Sequence, residues 1–301
     1  MAVLIDPPQW PAHGTRFSHL VSDSSLGELL EFADAQRIPV GAFDHDHYDV
    51  PERRYAGLVA AGAVPVAPSE LLRRLVASGL RVRTPQRAPK APDVLPGLQA
   101  GWAELLPAAP ALGSELLRRW QEPHRRYHDV RHLAQLVFAL GLLTGGDVPR
   151  PVALAAWFHD AVHNGTAGED EERSAQLAEA ELPSAGVPAD EVGEVARLVR
   201  LTVHHDPEDG DAAGALLVDA DLSILGQAPG RYHMYARDVR LEYDHLPDDL
   251  FAAGRSRVLE ALSSRSPLYR VRAAQRLWSE QAGRNVAEER RRWSRITGSD
   301  R

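Results

Sequence analysis

From residue 112 onward, apolar residues recur at i, i+3 and i+4 in one segment after another, and this spacing constrains the fold more than any other feature of the chain. The segments are "LGSELLRRWQEP", "RHLAQLVFALGLL", "PVALAAWFHDAV", "EDEERSAQLAEAEL", "ADEVGEVARLVRLTVHH", "GALLVDADLSILG", "YHMYARDVRLEY" and "RAAQRLWSEQAGRNVAEERRRW". Most end at Pro, Gly or Asp, residues that stop or cap helices. No strand pattern stands out among them. The spacing predicts an all-α domain of about eight helices.

Upstream the pattern changes. Residues 84–97, "TPQRAPKAPDVLPG", carry Pro85, Pro89, Pro92 and Pro96. Proline at this density removes N–H donors and blocks helix, so the stretch reads as a semi-rigid linker between units at 1–83 and 98–301. The first unit alternates element types. "AVLID" (2–6), cut off by Pro7 and Pro8, and "AVPVAP" (63–68) read as strands. "SSLGELLEFADAQRI" (24–38), and "ELLRRLVASGL" (70–80) capped by Ser69, read as helices. A small α/β unit with parallel pairing is expected, and the fold class overall is α+β.

Composition narrows the chemistry. The chain has no cysteine, so disulfides, thiolate nucleophiles and Cys-bound metals are excluded. A metal would rest on His and carboxylates, which suits Mn, Fe, Co, Ni, Zn or Mg. The net charge of -8 argues against long nucleic acid as partner. No basic start with an apolar core opens the chain, and no apolar run is long enough to span a bilayer, so a cytoplasmic protein without membrane association is expected.

Against that background the histidines are clustered. Nine of the 13 fall between His124 and His245. His128 and His132 are four apart in "RRYHDVRH". His159, Asp160 and His163 interrupt "WFHDAVHNG" after an apolar run. His204, His205 and Asp206 close "TVHHD", and Asp219 and Asp221 break "LLVDADLS". Taken one at a time, these are surface histidines, caps or dipole partners at helix ends. Together they place carboxylates and imidazoles on apolar helix faces, where they are costly without a cation.

The order His132, His159-Asp160, Asp221 resembles the HD superfamily of metal-dependent phosphohydrolases over roughly residues 100–295, including its predicted bacterial group. The tracts "PHRRYHDVRH", "AAWFHDAVHNGTAGEDEERSA" and "LLVDADLSILG" are also similar to the catalytic core of cyclic-nucleotide phosphodiesterases. The resemblance implies an HD-type helical fold and a divalent ion held by His132, His159, Asp160 and Asp221. It leaves open whether there are one or two ions, with Asp160 as a bridge and His163 and His204 near the second ion or a bound phosphate. Asp219 and Asp221 point about 200° apart on a helix, so one of them faces the site. The "ADLS" match favours Asp221, leaving Asp219 as a supporting partner or cap. His128, a turn before His132, is the expected general acid. Asp160 and His163 join it as candidate catalytic residues. Arg131, Arg173 and His204 are candidates for gripping phosphate, with Arg126 a further arginine that reads better as solvated. Glu171 and Glu172 either balance a helix N-terminus or orient a ligand histidine.

The expected activity is hydrolysis of a small phosphate ester such as a nucleotide by metal-activated water. The alternative is a metal- and nucleotide-binding sensor that controls the N-terminal unit. That unit resembles a small bacterial domain family of unknown function over about residues 1–83, on "WPAHGTRFSHLVSDS", "HYDVP" and "GAVPVAPSELLRRL". Its cluster "FDHDHYDVP" offers Asp44, His45, Asp46, His47 and Asp49. It reads first as an exposed acidic turn and second as a metal-ligating loop. Asp6, His19, Asp23 and His47 are candidates for a shared cleft, since Asp6 ends a strand where α/β ligand sites tend to lie.

Overall fold

A computed structural model describes residues 2–84, 87–166 and 168–298. The chain opens with strand β1 (Val3–Ile5), which is fully apolar and stopped by the two prolines after Asp6. β2 (Trp10–Ala12) and β3 (Thr15–Ser22) form a hairpin through His13 and Gly14. Both of those residues have positive φ (48° and 75°), as a two-residue primed turn requires. Helix α1 (Leu26–Ala35) is capped by Ser25, whose hydroxyl accepts from the Glu28 N–H. Then come β4 (Phe43–Asp44), β5 (His47–Pro51), α2 (Glu52–Ala60), β6 (Val64–Pro65) and α3 (Pro68–Ala77).

The sheet order is β4-β5-β3-β1-β6, with β2 on β3. The two strands expected from the sequence are present, and β1 and β6 do pair in parallel. The other pairings, through β2–β5, are antiparallel, so the expectation of a parallel α/β unit holds only at that pair. Helix α3 starts at Pro68, one residue before the expected Ser69 cap, because proline's fixed φ suits a first helical turn.

The expected linker is shorter than its proline content suggests. Helix α4 spans Ala91–Leu105, with Pro92 in its first turn, where no N–H is needed, and Pro96 inside it. Pro85 and Gln86 lie outside the described residues. Nine helices follow: α5 (Pro110–Arg119), α6 (Val130–Thr144), α7 (Arg150–Phe158), α8 (Glu169–Glu181), α9 (Ala189–Leu201), α10 (Ala212–Asp221), α11 (Pro229–Glu242), α12 (Asp248–Ser263) and α13 (Arg272–Gly298). The described residues after 90 thus hold ten helices where about eight were expected, the additions being α4 and α12. Their shared core includes Trp120, Leu133, Leu136, Phe158, Val199, Leu217 and Trp278.

The sheet unit docks on α11 and α13. Met234 of α11 is buried in the core of the sheet unit. Arg237 donates to the Phe43 carbonyl at 2.5 Å. Arg292 and Arg295 of α13 pair with Asp34 and Glu31 of α1. No described helix is long and apolar enough to cross a membrane.

Candidate metal centre

Helix α7 is apolar on all sides, with Val152 and Leu154–Phe158 buried. It ends at His159, whose N–H still donates to the Ala155 carbonyl at 2.9 Å. The segment that follows it is tied to the one before α6 by a single side chain. Arg125 is buried and donates to the carbonyls of His128 (3.0 Å), Asp160 (2.7 Å) and Ala161 (3.3 Å). A buried guanidinium with several N–H donors can thus satisfy loop carbonyls that no helix or strand pairs. After Ala161 the chain is tied to α8. Ser174 bonds both the N–H and the carbonyl of Val162, and buried Asp170 accepts from the N–H groups of Asn164 and Thr166. His159, Asp160 and His163 are thereby fixed without a continuous helix.

His132 comes from the first turn of α6, which Asp129 caps through the Arg131 N–H. Asp221 is the last residue of α10. Four acceptor atoms then converge. His132 Nε2 lies 3.2 Å from His159 Nε2 and 3.1 Å from Asp221 Oδ1. Asp160 Oδ2 is 3.1 Å from His159 Nε2 and 3.7 Å from His132 Nε2, and His159 Nε2 is 3.8 Å from Asp221 Oδ1. Ligands about 2.1 Å from one cation stand about 3.0 Å apart at right angles and about 3.4 Å apart at tetrahedral angles. Three of these separations, 3.1–3.2 Å, lie near the right-angle value and two, 3.7–3.8 Å, lie above the tetrahedral one. His132, His159 and Asp221 form a group that fits a divalent ion, with Asp160 beside the two histidines.

One ligand ring is also held from behind. His159 Nδ1 donates to the Ala156 carbonyl at 2.9 Å, which leaves Nε2 to face the cluster with its lone pair. Electrostatics follow from the crowding of anions. Burial opposes charge on His159, but Asp160 and Asp221 outweigh it and push the imidazole up to about 9. At His132 burial wins and the pKa falls. Burial also opposes both carboxylates, yet the surrounding imidazoles hold Asp160 and Asp221 well below the usual range.

A second cluster adjoins the first. Glu242, the last residue of α11, accepts from three consecutive backbone N–H groups, Arg126 (2.8 Å), Tyr127 (2.9 Å) and His128 (2.9 Å). Its other oxygen is 2.6 Å from His128 Nδ1 and 3.8 Å from His163 Nε2. The His128 and His163 rings lie close together, tilted by 33° with 4.2 Å between centroids. Burial disfavours the His128 imidazolium, but Glu242 outweighs it and raises the pKa, while Glu242 itself is held well below the usual range. His128 is near His132 although it precedes α6, so the two do not share a helix face.

The first cluster and the His128 and His163 rings of the second line one cavity of about 510 Å³. Its far wall is apolar and aromatic: Tyr127, Tyr235, Tyr243, Leu250, Phe251 and Val258 take part.

The structure corrects several expected roles. His204 is exposed; its neighbour His205 lines the cavity instead, with Nε2 2.7 Å from Asp221 Oδ2. The swap follows from the end of α9 at Leu201, after which His205 takes a left-handed φ of 51°. Arg131 faces away from the cavity, engaged by Asp129 and Asp238. Arg173 is exposed on α8 beside Glu169. Glu171 completes the cap of α8 at the Gly168 N–H, and Glu172 pairs with Arg200, so neither orients a ligand histidine. Asp219 accepts from the N–H groups of Arg270 (3.0 Å) and Val271 (2.6 Å), just ahead of α13. Of the two aspartates, only Asp221 reaches the cluster. The sequence reading missed Glu242, Arg125 and His205. The pairing of His204 with His205 is the one signal that pointed near any of them.

Comparison with known proteins adds little here. Residues 3–78 match the model of a family described as a protein of unknown function (DUF4031), which coincides with the sheet unit and its three helices and stops before α4. No curated protein and no solved structure matches the chain.

Proposed function

We propose that the helical domain is a metal-dependent hydrolase of small phosphate esters, of the HD type suggested by its sequence. The observation that carries this reading is the grouping of His132, His159 and Asp221 at 3.1–3.8 Å, with Asp160 3.1–3.7 Å from the two histidines and His159 held from behind so that Nε2 faces the group. These four would hold a divalent ion. Bound there, it would supply a Lewis acid for a phosphoryl oxygen and lower the pKa of a water towards about 7. His128 would hold the proton that a leaving alkoxide needs. Glu242 orients it through Nδ1, leaving Nε2 as the free nitrogen. His163 stacks on it and limits its rotation.

The cavity also speaks to substrate class. With Arg131 and Arg173 turned away, few side-chain cations are left to grip a polyphosphate. The aromatic and aliphatic wall suits an apolar or planar group next to one phosphate, such as a nucleoside monophosphate.

A sensor reading has one observation in its favour. Helix α11 carries Tyr235 of the cavity and Glu242, the partner of His128, and also Met234 and Arg237, which meet the sheet unit. Purified protein would be assayed with a panel of nucleotides and phosphomonoesters in Mn, Co, Ni and Mg. The hydrolase reading expects turnover that His159→Ala and Asp160→Ala abolish, together with the metal equivalent held at the helical site in elemental analysis. Wild-type metal content in both variants would remove the site assignment. Tight binding without turnover would favour the sensor.

A further inference from the structure

The sheet unit holds a separate cluster that the helical site does not use. His19 on β3 lies directly across from Asp49 on β5, and His47 stands two residues before Asp49. Strand alternation puts His47 and Asp49 on one face, and the cross-strand register brings His19 to that same face. His19 Nε2 is 3.8 Å and His47 Nε2 3.6 Å from Asp49 Oδ1. All three ligand atoms lie within 4.8 Å of one another.

The far side of each imidazole separates this from a chance polar patch. Asp6, at the end of β1, is buried at 1% exposure. It takes the His19 backbone N–H at 2.5 Å and lies 3.0 Å from His19 Nδ1. Asp46, fully buried, lies 2.8 Å from His47 Nδ1 and is anchored by the Val82 N–H at 2.7 Å and by Arg81. Each neutral imidazole that donates from Nδ1 presents only a lone pair at Nε2. Two such lone pairs and a carboxylate oxygen therefore meet at one place. Buried carboxylates behind inward-facing histidines are the usual support of a metal-bound imidazole, fixing both its tautomer and its direction.

We propose that His19, His47 and Asp49 bind a divalent transition-metal ion, with Asp6 and Asp46 as positioning residues. Two imidazoles and one carboxylate suit Zn, Fe, Co, Ni or Mn better than the hard, all-oxygen preference of Ca or Mg. Three protein ligands leave coordination positions open. The side chains of His19 and Asp49 are 30% and 48% exposed, so those positions face solvent. The exposed Trp10 ring borders them, 5.2 Å from the His19 ring. An open three-ligand site takes water or an oxygen donor of a small molecule, unlike a closed structural site. Asp23, by contrast, pairs with Arg74 and the Ala2 N–H and has no part in the cluster.

The test uses the full chain carrying His159→Ala, Asp160→Ala and His163→Ala, so that both helical clusters lose ligands. Cobalt(II) is titrated in, with the visible absorption band and metal content after desalting as readouts. One equivalent is expected. Adding His47→Gln should abolish the band, and Asp49→Asn, at a half-exposed position, should weaken binding at least about tenfold. Asp6→Asn should weaken it about 10–100-fold, the usual worth of an outer carboxylate. Melting curves without metal check that each variant is folded. The proposal is overturned if the parent variant binds no cobalt, or if folded His47→Gln and Asp49→Asn bind it as the parent does. Neither result bears on the helical site, which the parent variant lacks.

Discussion

Removing the carboxylate of Glu242 would release His128 from its Nδ1 partner and strip three backbone N–H groups of their acceptor. Under the hydrolase reading, His128→Ala lowers kcat by about 10²–10⁴, the usual worth of a general acid. Glu242→Gln keeps an acceptor for the N–H groups but weakens the hold on the imidazole, and a loss of about 10–100-fold is expected. Metal content should stay at the wild-type level in both, since neither residue belongs to the four-atom cluster. Steady-state kinetics beside elemental analysis checks this; loss of metal in Glu242→Gln would mean that the two clusters act as one. The residue scale also shows what a sequence can disclose. His132, His159, Asp160 and Asp221 are legible because each is polar at a place where the apolar periodicity calls for a buried residue. Glu242 is not, since it follows Arg240 in a stretch that reads as an ordinary solvated helix end. The choice of His205 over His204 turns on one left-handed residue after α9, which no periodicity encodes.

At the scale of elements, the polar residues of the sheet site explain why β3 and β5 went unread. His19, His47 and Asp49 interrupt the apolar alternation that would mark a strand, while β1, fully apolar, is obvious. Helix α4 is masked by its prolines. Helix α12 is masked by Gly254 and by Arg255, which is buried yet charged and pairs with Glu289 of α13 at 2.8 Å. The joint between the units is equally silent in the sequence, and it rests on a close approach. A Cβ on Gly230, at the start of α11, would stand 2.0 Å from the His45 carbonyl oxygen and 2.5 Å from the Val82 side chain. Gly230→Ala must therefore push the turn between β4 and β5 off α11. The expected cost is about 1–3 kcal/mol, as for other overpacked contacts. Thermal melting gives the loss, and faster tryptic cleavage at Arg83, Arg87 or Lys90 would locate it at the joint. An unchanged melt and an unchanged digest would show that the units are not held together there.

At the scale of the whole molecule, that joint contains a titratable group that couples its stability to pH. His233 of α11 is buried against the Phe43 ring of the sheet unit, 6.4 Å between centroids, with Glu288 of α13 at 3.9 Å. Burial pushes its imidazole down to about 4, and Arg292 adds to the effect against a smaller opposing pull from Glu289. The folded chain keeps this ring neutral, whereas the unfolded chain protonates it below about 6.5. Between those values the unfolded state holds the extra proton, so stability rises with pH across the window. The contribution is complete above about 6.5 and is lost as pH falls towards about 4. Between pH 7 and pH 5 the loss amounts to about 2 kcal/mol from this group. His233→Gln carries no such proton. Its stability at pH 7 reports the packing lost, and its further decline to pH 5 should be about 2 kcal/mol smaller than that of the wild type. Urea unfolding at the two pH values measures both. Parallel declines would mean that the ring is already charged in the folded joint, with Glu288 as its partner. A shallower decline in the variant would show that the neutral His233 ring in the seam between sheet and helices couples the stability of the molecule to pH.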